Sequence, residues 1–317
     1  MPRQPDISVR VIHDADVGKA SEICRLAFGT FLGVPDPMQV FGDREMMANR
    51  WRAHHERVLG AYVDDELVGS NVLSKWGTFG WFGPLTVRPD YWDRGIAKRL
   101  MEPTMELFSQ WGTTHQGLFT FPNSPRHLGL YEKFGFNARF LTPVMKKQVN
   151  GRRRNPPDLF SDPVTARERT RLLKEVRELT DGLYPGLDLT DEILDAKALT
   201  LGDTVLLRDD SLVVGFAICH AGPNTEGGSG NCYVKFGAVM PGVSTEKRFQ
   251  ALLSEIERYA ANRKLGTIEA GVNMGRKRAY QEMMGAGFRS EFTGVAMQKP
   301  DDAAFNSPGV FAMDDWR

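Results

Sequence analysis

The sequence predicts an α/β protein built from two successive copies of one unit, and three observations predict it. Val87-Arg88-Pro89 returns as Val239-Met240-Pro241, and Gly135-Phe136 returns as Gly287-Phe288 (239 − 87 and 287 − 135 both give 152). Phe140, Met145 and Lys147 return as Phe292, Met297 and Lys299 at the same spacing. Segments of strand period and helix period also alternate in a similar order in both halves. Finally, 317 residues suit two domains that each bury a core. A constant offset over so long a stretch points to duplication, which decides architecture before any motif does.

In the first copy, Ile7 to Ile12 alternates as a strand, and Ala15 to Phe28 carries helical periodicity. Val58 to Tyr62 and Leu67 to Leu73 flank the acidic turn Asp64-Asp65-Glu66 as a hairpin. A strand from Gly80 to Val87, a helix from Gly95 to Trp111 and a strand from Gln116 to Phe121 follow. Ser124 to Phe134 reads as a helix ended by Gly135 in the place a C-cap favours, and Phe140 to Lys146 as a last strand. The second copy offers helices at Ala166 to Leu179, Glu246 to Asn262 and Arg276 to Met284. Its strands fall at Thr204 to Leu207, Leu212 to Cys219, Asn231 to Val239 and Thr267 to Val272. The glycine-rich stretch Gly222 to Gly230 reads as a flexible loop. Its Gly228-Ser229-Gly230 is not a nucleophile elbow, because Asn231 stands where the closing Gly belongs. These readings place a first domain at 1–148, a linker at 149–162, a second domain at 163–300 and a tail at 301–317. The tail's Phe305, Phe311 and Trp316 are expected to dock on the surface.

Composition narrows the partners. Lys plus Arg and Asp plus Glu are both 40, a formal net charge of zero, which argues against a nucleic-acid partner. The one tight basic run, Arg152-Arg153-Arg154, sits between Gly151 and Asn155-Pro156-Pro157 and reads as solvated linker. Cys24, Cys219 and Cys232 lie far apart with no C-x-x-C pair, so neither a zinc site nor a disulfide framework is expected. No apolar run approaches the ~20 residues of a membrane span. The start lacks the apolar segment of a secretory signal. A cytoplasmic protein without a membrane or metal partner is the expectation.

The densest chemical signal runs from Leu85 to Leu100. A strand ends at Pro89, which cannot donate to a ladder, and a helix opens near Gly95. The first amides of a helix lack internal partners and sit at its positive end, so they favour a phosphate oxygen. Gly95 and Ala97 keep bulk away, while Arg94, Lys98 and Arg99 add positive charge. An amphipathic helix with a glycine near its start would share these features.

This segment resembles the GNAT superfamily of acetyltransferases, whose loop reads Gln/Arg-x-x-Gly-x-Gly/Ala after a V-x-P strand end. Val87, Pro89, Gly95, Ile96 and Ala97 fit, whereas Trp92 replaces Gln or Arg and Asp93 replaces a common Gly. An anionic Asp93 beside a phosphate would be unfavourable unless it points away or pairs with Arg94. A second family segment, N-x-x-A-x-x-L-Y-x-x-x-G-F, is matched by Leu130, Tyr131, Gly135 and Phe136, with Ser124 for Asn and His127 for Ala. The resemblance covers about residues 7–147 and, more weakly, 166–299. It implies two tandem domains, each a central mixed β-sheet flanked by helices, and acetyl-CoA as co-substrate.

By the same resemblance, backbone groups of Leu85, Thr86 and Val87 hold the pantetheine arm and polarise the thioester. Arg94, Gly95, Ile96, Ala97, Lys98 and Ser124 surround the phosphates and the rest of the cofactor. Tyr131 assists the leaving thiolate, unless it is a core aromatic. The acceptor is a small-molecule primary amine attacking directly. The strand from Trp81 to Thr86 carries no carboxylate for a general base. His127, one turn before Tyr131, is a candidate relay or a structural histidine. Trp76, Phe79, Trp81, Phe82 and Trp92 are either core or an apolar acceptor wall. The second copy replaces the loop with Gly242 to Phe249 and puts Glu246 in the phosphate region, so it reads as a degenerate partner in a monomeric pseudo-dimer or weak homodimer. The alternatives are a non-catalytic acyl-CoA-binding or partner-binding module, or catalysis in the second copy.

Overall fold

The computed structural model describes residues 7–150, 155–162 and 165–317, so Arg152-Arg153-Arg154 lies outside the described residues. The first copy runs β1 (Ile7–Val11), α1 (Val17–Leu32), α2 (Met47–Ala53), β2 (Val58–Val63), β3 (Glu66–Trp76) and β4 (Phe79–Val87). It continues through α3 (Ile96–Gln110), β5 (His115–Thr120), α4 (Pro125–Glu132) and β6 (Asn137–Gln148). The second runs β7 (Asp158–Leu159), α5 (Ala166–Asp181), α6 (Thr190–Ala198), β8 (Gly202–Asp209), β9 (Leu212–Gly222) and β10 (Gly228–Val239). Then come α7 (Thr245–Asn262), β11 (Thr267–Gly271), α8 (Lys277–Gly285), β12 (Arg289–Lys299) and β13 (Ala312–Met313).

The 152-residue offset governs the elements themselves. β5, α4 and β6 begin at His115, Pro125 and Asn137, and β11, α8 and β12 begin at Thr267, Lys277 and Arg289. Even the register repeats. Phe79 to Phe82 pair in parallel with His115 to Leu118, as Asn231 to Val234 do with Thr267 to Ala270. α3 turns Ile96, Leu100, Met101, Thr104 and Phe108 inward, and the longer α7 does the same with Phe249, Leu252, Leu253 and Ile256. That spacing is the one-sided stripe a helix packed on a sheet requires.

The copies are interleaved in space. β12, from the second copy, pairs with β5 on one side and β6 on the other, and β6 pairs with β11. One mixed sheet results, in the order β1-β2-β3-β4-β5-β12-β6-β11-β10-β9-β8-β7, with β13 on β10. Each copy's last strand therefore completes the other copy's sheet, and neither leaves a bare edge at the joint. A boundary at 148 divides the sequence but not the sheet.

Two expectations are corrected. Phe305, Phe311 and Trp316 of the tail are 0%, 1% and 3% exposed, not surface-docked. Phe305 and Trp316 fill the space where Phe79 of the first copy and Phe236 of the second converge, and Phe311 packs on Phe249 of α7. The glycine-rich stretch is also anchored. Thr225 and Glu226 are buried, and Gly228 to Gly230 already belong to β10. The first copy holds it, through the Asn49 amide donating to the Asn224 carbonyl and through Asp43 accepting from Ser229. No helix among the described residues is long and apolar enough to cross a membrane.

Candidate active site

β4 follows β5 for four residue pairs and then leaves it. The cause is local. Against β3 the register passes from Asn71 opposite Leu85 to Leu73 opposite Phe82, so β4 carries one extra residue there. Such a bulge bends the strand and increases its twist. Gly83 sits in the bulge at φ +149°, a conformation few side chains tolerate. The strands diverge onto the start of α3, whose N-cap is Gly95 at φ +77° with no side-chain cap. A side chain at Gly95 would meet nothing within 4 Å, and the first amides of a helix, lacking internal partners, favour an anion.

The divergence opens a cleft of about 1110 Å³. Leu85, Thr86, Val87, Gly95, Ala97, Lys98, Ser124, His127 and Tyr131 all line it. Two expected members turn elsewhere: Arg94 lies over the Tyr91 ring at 4.7 Å, and the Ile96 side chain is buried in the core. Trp92 accounts for its own departure from the family pattern, since its indole N–H donates to the Val87 carbonyl at 2.7 Å and locks the loop to the strand end. Asp93 pairs with Arg126 at 3.2 Å instead of with Arg94. Both partners are well exposed, and the Arg126 charge stands beside the carboxylate at the cleft rim.

Ser124 caps α4 by accepting from the His127 amide, which aims one face of this short helix at the cleft. Tyr131 stands edge-on to Phe82 at 5.7 Å, and burial raises its phenol pKa well above the ordinary value. His127 lies tilted against Phe31, ring centroids 5.0 Å apart; burial, helped by Arg126, lowers its pKa so that the ring is neutral at physiological pH. Of the five aromatics proposed as an acceptor wall, only Phe82 and Trp92 reach the cleft, while Trp76, Phe79 and Trp81 are core. The apolar wall comes instead from Phe28, Phe31, Phe41 and Phe121, which touch one another in sequence.

Further residues that sequence reasoning did not bring to the site come from the second copy and the tail. Glu226, Tyr233, Glu269, Glu291, Phe292, Trp316 and Arg317 reach the same cleft. Glu226 receives Arg50 through two bonds of 2.8 Å and Lys235 at 2.9 Å. Burial would raise its pKa, but Arg50 and Lys235 prevail and hold it well below the usual carboxylate range. Glu269 is treated alike. Against burial, Arg317 and Arg44 bring it to about 2, with Arg44 bonded at 2.8 and 3.0 Å. Both carboxylates are thus fixed anions and weak bases. Their first-copy partners, Arg50 and Arg44, lie 176 and 225 residues away in sequence, so no local pattern marks the pairings.

Residues 23–136 match the family model described as Acetyltransferase (GNAT) family. That match lies within the first copy and spans about a third of the chain. The whole chain is similar to solved structures of the same architecture. One is a putative acetyltransferase from Pyrococcus horikoshii, at 15% identity and TM-score 0.69, covering 98% of this chain and 95% of that one. Another is a GCN5-related N-acetyltransferase from Sphaerobacter thermophilus, at 16% identity and TM-score 0.60, covering 94% and 96%. These likenesses establish the fold from end to end. No curated protein sequence matches the chain.

Proposed function

We propose that the cleft binds one acetyl-CoA per chain and that the protein transfers the acetyl group to a primary amine by direct attack. The observation that carries this reading is the divergence of β4 from β5 onto the uncapped, glycine-opened start of α3, with Tyr131 on the facing wall. Acetyl-CoA supplies an activated thioester: the amine nitrogen bonds to its carbonyl carbon, the C–S bond breaks, and CoA leaves as a thiolate. Backbone groups of Leu85, Thr86 and Val87 would hold the pantetheine arm and polarise the carbonyl, being fixed beforehand in the sheet. Gly95, Ala97 and Lys98 would receive the pyrophosphate, and the Tyr131 hydroxyl would donate a hydrogen bond to the departing sulfur.

An alkyl-ammonium acceptor must first lose a proton. Glu226 and Glu269 are poor acceptors for it because cations already claim them. His127 is neutral and lines the cleft, so it is the better base, directly or through water. A small-molecule acceptor is favoured because the second copy and the tail wall the cleft with Glu226, Tyr233, Trp316 and Arg317. Catalysis in the second copy is disfavoured, since Met283 stands at the counterpart of Tyr131. A panel of amines assayed for CoA thiol release tests the proposal. Saturable CoA binding with no turnover on any amine would reduce the protein to a binding module.

A further inference from the structure

The second copy reaches the same fork and ends differently. β10 keeps β11 from Asn231 to Val234 and then diverges, so Gly237, Ala238 and Val239 become the counterparts of Leu85, Thr86 and Val87. Here the protein's own tail lies on the strand. Gly237 pairs with Met313 and Ala238 with Ala312, antiparallel, and the Val239 N–H donates to the Phe311 carbonyl at 3.2 Å. These are the backbone positions that the first copy presents to the cleft.

The side chains are fitted to that arrangement. Phe249 replaces Ala97 at the start of the following helix and meets the Phe311 ring edge-on at 5.4 Å. Arg276 replaces Ser124 and holds Asp314 in a fully buried ion pair of 2.5 Å. Gly271 replaces Phe119, and a side chain there would collide with Asp315. An anionic cofactor finds no matching welcome at this copy, because Glu246 lies in the first turn of α7. A buried, diverging strand still needs partners for its amides and carbonyls.

We propose that residues 311–315 are a resident ligand of the second copy's groove, occupying the backbone positions that correspond to the pantetheine track of the first. This rests on the acyl-CoA reading of the first cleft, and it makes the second copy a clamp for the tail instead of a second cofactor site. The same segment then enters the first cleft. Trp316 lies over Gly117, where an added Cβ would come within 2.8 Å of its ring. Arg317 pairs with Glu269, and its carbonyl accepts from Arg50, which also donates to the Gly83 carbonyl at 2.6 Å.

Hydrogen exchange on the full-length protein, with and without CoA, combined with calorimetric titration by CoA, tests the proposal. The expected stoichiometry is one. CoA should slow exchange at least tenfold within 85–87 and 95–98, and leave 237–239 and 311–313, already slow without CoA, unchanged within twofold. Asp314→Asn should speed exchange at 237–239 and 311–313 together by tenfold or more. A binding stoichiometry of two, a CoA effect at 237–239, or fast exchange there in the free protein would overturn the proposal. So would an Asp314→Asn variant, folded by circular dichroism, with unaltered exchange at both segments. A stoichiometry of zero with slow exchange at 237–239 would instead refute the acyl-CoA reading and leave the tail as the groove's occupant.

Discussion

Tyr131→Phe isolates one atom of the proposed mechanism. The ring stays, and it is the ring that packs against Phe82. Among the described residues the hydroxyl makes no hydrogen bond, so its removal should change folding stability by less than about 1 kcal/mol. Burial pushes the phenol pKa upward, which keeps it neutral and makes it a hydrogen-bond donor to sulfur more readily than an outright proton source. A hydrogen bond to a charged group contributes about 1.5–3 kcal/mol. At about 1.36 kcal/mol per decade, kcat should fall roughly 10- to 150-fold. Ground-state affinity for acetyl-CoA should change little, because the thiolate exists only once the C–S bond breaks. Thiol release under single-turnover conditions gives the rate, and calorimetry gives the affinity. A thioester with a more acidic leaving thiol should shrink the loss. Wild-type kcat with chemistry limiting would remove Tyr131 from the mechanism, and equal losses of affinity and rate would make it structural.

Gly95→Asp should keep the fold, since Asp tolerates positive φ better than most residues and the space there is open. It should weaken acetyl-CoA binding at least tenfold, about 1.4 kcal/mol, when titrated calorimetrically. His127→Gln should lower kcat at neutral pH about tenfold and abolish an acid limb set by a pKa below 6.5, because burial depresses that of the wild-type imidazole; an unchanged pH–rate profile would retire His127 as base. Glu269 is held at about 2 in the fold against an ordinary 4.5, so its contribution of about 3 kcal/mol is complete above pH 4.5 and is lost as pH falls towards 2. Glu269→Gln should therefore unfold more easily at pH 6 and narrow its deficit on acidification, as thermal melts at several pH values would show. Residues 1–148 expressed alone should give aggregated or poorly folded protein on size exclusion and circular dichroism, because β5 loses β12 and β6 loses both neighbours.

The sequence by itself determined the elements that repeat. Val87-x-Pro89 and Gly135-Phe136, with their echoes 152 residues on, placed the central strands and helices of both copies, and Gly95 marked the start of α3. These features are local, set by backbone freedom, missing donors and the spacing of apolar residues along one face. Tertiary structure alone decided three things. The exchange of β6 and β12 satisfies strand edges, which either copy's last strand could do in sequence terms. Glu226 and Glu269 become cleft residues only because arginines from the first copy and the tail meet them there. The tail, short of periodicity, reads as surface, yet it is buried because a diverging strand in the second copy offers it backbone partners. Pairing between segments hundreds of residues apart depends on which polar groups folding leaves without water, and that is a property of the assembled chain.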